Sequence, residues 1–268
     1  MFKFNPEQRY TMPAHFGPRT SKVPSGWYHD VTNLVVSYRT DRDKLAAYLP
    51  EPFEVAEDAI ISVVYSCNKE VDWLAGHGYN LIGVNASVVF NGKVDCLQGY
   101  YTLAMWENLT DPILMGREVQ GIPKIFADIP DHSIVNGTWR VKASHFSHRI
   151  MEMTISDLAL PTAEVIMELQ KSMEGKDNWM GWKYIPNADG VGASVTTATL
   201  FPAENTYREV KVGTGSVKWE HLTWEQNPTQ YHIVNALADL PIIEYLQVVM
   251  TKGSTNLAVN GKPVRELK

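Results

Sequence analysis

Apolar and β-branched residues alternate with polar residues along much of the chain, in short runs that end at turn residues. This alternation is typical of strands with one buried face. Hairpin turns are predicted at Asn91-Gly92 and Asn260-Gly261, and a turn between two strands at 145–148. The predicted strands cover residues 31–38, 59–67, 81–90, 94–106, 139–146, 150–155 and 193–201.

Three helices interrupt the strands, at 41–49, 112–119 and 161–173. Pro112 and Pro161 suit the first turn of a helix, and Asp111 is predicted to cap the second helix. Many antiparallel strands with few helices predict an α+β fold, mostly antiparallel β, built on a closed or strongly curved sheet. No linker divides the 268 residues, so we predict a single domain over 1–268, with two domains as the alternative.

Charge and apolar content narrow the choice of partners. The formal net charge is −6 and no basic run occurs, which argues against nucleic acid or an anionic membrane as a partner. No apolar stretch approaches the roughly 18 residues of a membrane span, and residues 1–20 lack a signal-peptide pattern. We expect a soluble, cytoplasmic protein that binds a small molecule.

Sequence motifs for cofactors and reactive thiols are absent. The histidines show no HExxH or paired ligand spacing, and Gly213-Thr214-Gly215 stops short of a dinucleotide fingerprint, so we interpret it as a turn. Cys67 and Cys96 have no CxxC spacing; reduced thiols are expected, with a disulfide as the alternative. We therefore expect no metal and no cofactor.

The segment GREVQGIPK, at 116–124, carries the candidate chemistry. It places Lys124 after a proline, with Ile122, Ile125 and Phe126 close by. Apolar burial disfavours a charged amine and lowers an amine's pKa from about 10.4 toward neutrality. Only a neutral amine attacks a ketone. Lys124 is therefore predicted to be a Schiff-base nucleophile, with a solvated surface lysine as the alternative.

This segment resembles the signature of the acetoacetate decarboxylase family, which reads Gly-Arg-Glu, an aliphatic residue, three variable residues and Pro-Lys-Lys. Other stretches resemble family landmarks in the same order: YRTD at 38–41, LPEP at 49–52, FNG at 90–92, IPNADG at 185–190 and ADLP at 238–241. The resemblance implies a cone-like, closed antiparallel β-barrel with a few flanking helices and the lysine inside. A homo-oligomer is also expected.

The chain departs from the family pattern at charged positions. Ile125 stands where the family has the second lysine, whose charge helps to lower the pKa of the nucleophile. The matching places Val31 at the pocket arginine, and Leu81 and Val63 at two acidic positions. The resemblance therefore implies a more apolar pocket that has lost its charged groups, in which desolvation alone makes the amine neutral.

Several further residues are predicted to belong to the site. Arg117 and Glu118 are expected to form an adjacent ion pair with a structural role, and contact between Arg117 and a substrate carboxylate is the alternative. Gln120 is predicted to orient the substrate. The residues predicted to line the pocket or to act as acid or base are Leu81, Met105, Trp106, Tyr79, Glu107 and Tyr245.

Together these features predict a cofactor-independent, Schiff-base-forming lyase that acts on a small oxo acid or ketone. The changes at Val31, Leu81 and Ile125 favour aldolase or dehydratase chemistry, or a larger oxo acid, over decarboxylation of acetoacetate. Two alternatives stay open: a decarboxylase of acetoacetate or another 3-oxo acid, and a non-catalytic barrel that binds a small apolar acid.

Overall fold

The computed structural model describes residues 1–18, 25–258 and 263–268, and most of these residues lie in strands. In chain order the strands are β1 (Trp27–Arg39), β2 (Phe53–Val55), β3 (Ile60–Val71), β4 (Tyr79–Asn91), β5 (Cys96–Glu107), β6 (Lys124–Phe126), β7 (Ser133–Val135), β8 (Thr138–His145), β9 (His148–Ala159), β10 (Trp179–Pro186), β11 (Ala193–Phe201), β12 (Glu204–Trp219), β13 (Glu244–Tyr245), β14 (Val248–Asn256) and β15 (Arg265–Glu266).

The described residues also form four α-helices: α1 (Arg42–Ala46), α2 (Thr110–Met115), α3 (Ala163–Met173) and α4 (Tyr231–Ala238). A π-helical turn, Gly116–Gln120, continues α2, and short 3-10 turns cover Ala14–Phe16 and Asp72–Leu74. No helix in the described part of the chain is both long enough and apolar enough to cross a membrane.

The strands form one sheet with the order β15-β11-β10-β5-β4-β3-β1-β14-β12-β9-β8-β7, while β13, β2 and β6 pair with β1, β4 and β5. Most neighbours are antiparallel, but β6 and β10 run parallel to β5. The predicted mostly antiparallel fold with few helices is confirmed. The closed barrel is not: no pairing within 1–18, 25–258 and 263–268 joins β7 to β15, so the sheet is open.

The main hydrophobic core lies between two halves of this sheet. Side chains such as Leu34 and Ile82, from β1 and β4, share one buried cluster with Met153 and Val217, from β9 and β12. The sheet therefore folds over itself, and α4 adds Val234 to the same core. Burial of this apolar surface is the main favourable contribution to folding.

Two predictions differ from the structure, the start of the second helix and the turn at 213–215. The second helix begins at Thr110 rather than Pro112, so Asp111 lies in its first turn and is not the N-cap. The turn predicted at 213–215 is wrong, because these residues lie within β12. A Cβ at Gly215 would lie 2.8 Å from the carbonyl oxygen of Thr154. The glycine therefore permits close packing against β9.

Other turn predictions can be compared directly. β4 ends at Asn91 and pairs with β5 across the predicted hairpin, and β8 pairs with β9 across the turn at 146–147. The turn predicted at Asn260-Gly261 lies outside the described residues.

Candidate active site

Lys124 is positioned by β6, a three-residue strand that runs parallel to the end of β5. Met105 is the direct partner of Lys124 in this pairing. Because successive side chains of a strand point to opposite faces, Met105, Glu107 and Lys124 share one face, and Trp106 and Ile125 share the other. The pairing thus brings together two charged residues that are far apart in sequence.

Lys124 and Glu107 form a buried ion pair. Lys124 Nζ lies 2.8 Å from Glu107 Oε1, and the two side chains are 8% and 0% exposed. Within the described part of the chain these are the two buried residues with charged side chains. Lys124 Nζ also donates a hydrogen bond of 3.3 Å to the carbonyl oxygen of Pro112, at the start of α2.

The Glu107 carboxyl group is poorly satisfied by its surroundings. Neither carboxyl oxygen has a well-aligned hydrogen-bond partner among the described residues, so the 2.8 Å approach is a close ion pair. Burial raises the pKa of Glu107, and the positive charge of Lys124 opposes this effect. A buried carboxyl group with a raised pKa can accept the proton of the ammonium and leave a neutral amine beside a neutral acid.

The glycine at the start of the π-helical turn makes room for the lysine. A Cβ at Gly116 would lie 2.4 Å from Lys124 Cδ and 2.5 Å from Cε. The turn ends at Gly121, which has a left-handed backbone with φ of 80°. Single π-helical turns are frequent at functional sites. The sequence between α2 and β6 therefore packs directly on the lysine side chain.

Arg117, Glu118 and Gln120 belong to this same turn. Arg117 Nη1 donates a hydrogen bond of 2.9 Å to the main-chain carbonyl oxygen of Lys124. The expected ion pair between Arg117 and Glu118 is not observed among the described residues, where the guanidinium bonds to the main chain instead. Glu118 and Gln120 are half-buried. From α2 and this turn, Pro112 and Gly116 lie against the lysine side chain, whereas Arg117 supports the lysine through its main chain.

Two small apolar clusters surround the pair and meet at Leu81. Leu81 is the direct partner of Glu107 in the β4–β5 pairing. One cluster contains Met105 and Phe201, and the other contains Val31 and Tyr79; Leu81 packs against both. Three residues predicted for the site, Leu81, Met105 and Tyr79, therefore lie on the same face of the sheet as Glu107.

A pair of buried tyrosines lies on this face. The Tyr28 and Tyr79 hydroxyl oxygens are 3.2 Å apart, and Trp73 Nε1 donates a hydrogen bond of 3.1 Å to the Tyr28 hydroxyl. Burial raises the pKa of Tyr28 and of Tyr79, and the charge of Glu107 contributes to both shifts. Both phenols are therefore neutral hydroxyl groups near the ion pair. Sequence reasoning missed Tyr28 and Trp73, because β1 and the 3-10 turn meet only in the fold.

Three predicted positions lie elsewhere. Trp106 is fully buried on the opposite face, where its Nε1 donates a hydrogen bond of 2.9 Å to Gln230. Tyr245 is 38% exposed on β13, and its hydroxyl group bonds to the main chain of Val217. Val63 belongs to the main core, away from the face that carries Lys124. Strand alternation explains the displacement of Trp106 and Val63.

The expectation of a pocket without charged groups is wrong, because Glu107 contacts Lys124 directly. Glu107 was itself among the residues predicted from the sequence to act as acid or base, and it ends a strand two residues after Met105. No group of three or more His, Cys, Asp or Glu side chains suited to a metal ion occurs within the described ranges.

Comparison with known proteins places this arrangement in a family context. A family model described as acetoacetate decarboxylase matches residues 11–256. The acetoacetate decarboxylase of Burkholderia multivorans is 27% identical to this chain over 241 residues, which is 86% of either protein.

Two solved structures have a similar fold. The crystal structure of acetoacetate decarboxylase from Legionella pneumophila has a TM-score of 0.74 and 22% identity, and covers 96% of this chain and 94% of that one. The enduracididine biosynthesis enzyme MppR, complexed with the condensation product of pyruvate and imidazole 4-carboxaldehyde, has a TM-score of 0.68 and 16% identity, and covers 96% of this chain and 95% of that one.

Proposed function

The chain belongs to the acetoacetate decarboxylase family, and from this premise we propose that it is a cofactor-independent lyase whose nucleophile is Lys124. The observation that carries the proposal is the contact between two buried charged side chains. One is Lys124, which belongs to the family's Pro-Lys motif, and the other is Glu107 at the end of β5. An ion pair that served only stability would be unusual here, since buried pairs contribute little net stability.

Glu107 supplies the proton transfers that a Schiff base requires. Transfer of a proton from the Lys124 ammonium to the Glu107 carboxylate produces the neutral amine, which attacks the carbonyl carbon of the substrate. The carbonyl oxygen then leaves as water, with one proton from the former amine and one from the Glu107 carboxyl group. The products of this step are a positively charged imine on Lys124 and a Glu107 carboxylate beside it.

The imine then acts as an electron sink for a neighbouring carbon–carbon bond. When that bond breaks, its electron pair moves to the imine nitrogen and forms an enamine. The enamine is later protonated on carbon, and water releases the ketone. In the reverse direction the same enamine adds to an aldehyde, which is an aldol reaction.

We favour aldolase or dehydratase chemistry because the site face carries Val31 and Leu81 where the family has charged groups. The similar fold of MppR, whose complex contains a condensation product of pyruvate with an aldehyde, is consistent with this choice. Decarboxylation of a 3-oxo acid is the second candidate, and the similarity to the acetoacetate decarboxylase of Burkholderia multivorans favours it.

Reductive trapping tests the proposal. The protein is incubated with a panel of ketones and oxo acids and cyanoborohydride, and adducts are counted by intact mass. We expect one adduct per chain, lost in Lys124→Ala and retained in Lys183→Ala, which removes a half-buried lysine beside Gly121. A non-catalytic binding protein would give no covalent adduct, and equal trapping in Lys124→Ala would disprove the nucleophile.

A further inference from the structure

Within the described ranges, Lys124 is the one buried cation, and Glu107 already neutralises it. Lys124 is the one cationic side chain of the described residues within ion-pair distance of the Glu107 carboxyl group. Arg117 is an exposed residue whose guanidinium is hydrogen-bonded to the main-chain carbonyl oxygen of Lys124. Val31 is fully apolar and packs beside Tyr28 and Tyr79.

The net charge of the pair is zero both before and after imine formation. Before the reaction, an ammonium faces a carboxylate or an amine faces an acid; afterwards a cationic imine faces a carboxylate. A substrate carboxylate would add a negative charge next to Glu107, and the described residues supply no second buried cation to balance it. Burial of an unpaired charge is unfavourable, and two carboxylates in one site repel each other.

The tyrosine pair retains one unused hydroxyl hydrogen. Tyr28 and Tyr79 carry two phenolic hydrogens, and the 3.2 Å contact between them uses one. Trp73 has no acceptor to offer, because its indole nitrogen only donates, and it donates to Tyr28. In either orientation of the pair, one O–H therefore has no acceptor among the described residues.

This free hydroxyl group lies on the substrate side of the sheet. Tyr79 precedes Leu81 by two residues on β4, so both side chains point to the face that carries Glu107. A neutral O–H donor holds a carbonyl or hydroxyl oxygen without adding charge to the site.

We infer that the substrate is a neutral ketone with a second, uncharged oxygen, of the β-hydroxyketone class, and that the Tyr28–Tyr79 pair binds that second oxygen. The inference rests on the proposed Schiff base at Lys124. In the cleavage direction, the β-hydroxyl proton passes to the Glu107 carboxylate, the carbon–carbon bond breaks to release an aldehyde, and the electron pair forms the enamine. The tyrosine hydroxyl remains hydrogen-bonded to the oxygen of the departing aldehyde.

Three small ketones of similar size separate the contributions of charge and of the second oxygen. They are 4-hydroxybutan-2-one, which is neutral with a second oxygen, acetoacetate, which is anionic, and butan-2-one, which has no second oxygen. The concentration for half-maximal trapping with cyanoborohydride is measured for each by intact mass. Adducts of acetoacetate and of its decarboxylation product are both counted.

We expect half-maximal trapping by 4-hydroxybutan-2-one at a concentration at least about tenfold below that of acetoacetate, which corresponds to about 1.4 kcal/mol. Tyr79→Phe and Tyr28→Phe should each raise the ratio of the half-maximal concentration of 4-hydroxybutan-2-one to that of butan-2-one by about three- to tenfold. Tyr65→Phe is the matched control, because Tyr65 is buried in the main core and bonds to His132; it should leave this ratio unchanged.

The outcomes separate the two proposals. Absence of any adduct would overturn the Schiff base, and the inference with it. Trapping of acetoacetate at the same or a lower concentration than the neutral ketone would overturn the inference while the Schiff base stands. If the tyrosine variants raise the half-maximal concentrations of 4-hydroxybutan-2-one and butan-2-one by the same factor, the ratio of the two is unchanged. That result would overturn the role of the tyrosine pair.

Discussion

Glu107→Gln is the most informative single change in the site. The substitution keeps the size of the side chain and removes the negative charge that lies 2.8 Å from Lys124 Nζ. The ammonium would then be buried without a counterion. We expect the protein to avoid this state by releasing the proton from the amine.

The size of the effect follows from the burial of both groups. Removal of one partner of a buried ion pair costs about 3–5 kcal/mol when the other stays charged. Since one pH unit corresponds to about 1.4 kcal/mol, the pH midpoint of imine formation should move down by about 2–4 units. Proton transfer within the site should become slower, because a general acid or base contributes about 10²–10⁴-fold to such steps.

Two assays on the same variant distinguish these effects. Trapping of butan-2-one with cyanoborohydride between about pH 5 and 10 reports imine formation, with the range set around the expected shift. Exchange of the ketone's α-hydrogens for deuterium, followed by NMR, reports enamine formation. We expect the trapping profile of Glu107→Gln to move to lower pH, while deuterium exchange falls by about 100-fold or more.

A trapping profile that keeps its wild-type midpoint in Glu107→Gln would show that the carboxylate does not control the proton on Lys124. A deuterium exchange rate equal to that of wild type would show that another group moves the protons. Thermal unfolding of both proteins must show a folded variant at the assay temperature.

Three further changes test other parts of the structure. Gly116→Ala should reduce trapping at Lys124 about tenfold while urea denaturation shows a loss of about 1–3 kcal/mol, because the new Cβ overlaps the lysine side chain; undiminished trapping would contradict this packing. Ile125→Lys should destabilise the protein by a similar amount without moving the pH midpoint of trapping, because residue 125 points to the main core; a lower midpoint would refute this orientation. Hydrogen bonds from Arg265 and from the main chain of Lys268 lower the pKa of Asp95 to about 2. The difference in unfolding free energy between wild type and Asp95→Asn should therefore be present above about pH 4 and shrink as the pH falls toward 2. A difference that does not depend on pH would be inconsistent with that pKa.

Several strands could be predicted because the alternation of apolar and polar residues within a short segment is enough to indicate a strand. The strand predicted at 193–201 coincides with β11, and that at 81–90 lies within β4. β12 was not predicted as a strand, and Gly213 and Gly215 within it were interpreted as turn residues. Their actual role is to permit contact with β9, which depends on a pairing between distant segments.

The candidate site was only half predictable for a similar reason. Apolar neighbours and the Pro-Lys motif indicated Lys124, but its contact with Glu107 depends on the parallel pairing of β5 and β6. No local pattern indicates which strand a three-residue segment will join. Alternation alone, however, could have separated Met105 from Trp106, because adjacent strand residues cannot both face the lysine.

The most direct measurement is to identify the residue that carries the ketone. The wild-type protein is trapped with 4-hydroxybutan-2-one and cyanoborohydride, digested, and its peptides are sequenced by mass spectrometry. We expect the reduced adduct on Lys124, even though the exposed lysines are more accessible to reagents, because Glu107 can accept the proton of the buried amine. Modification of other lysines, with Lys124 unmodified, would contradict the proposed chemistry.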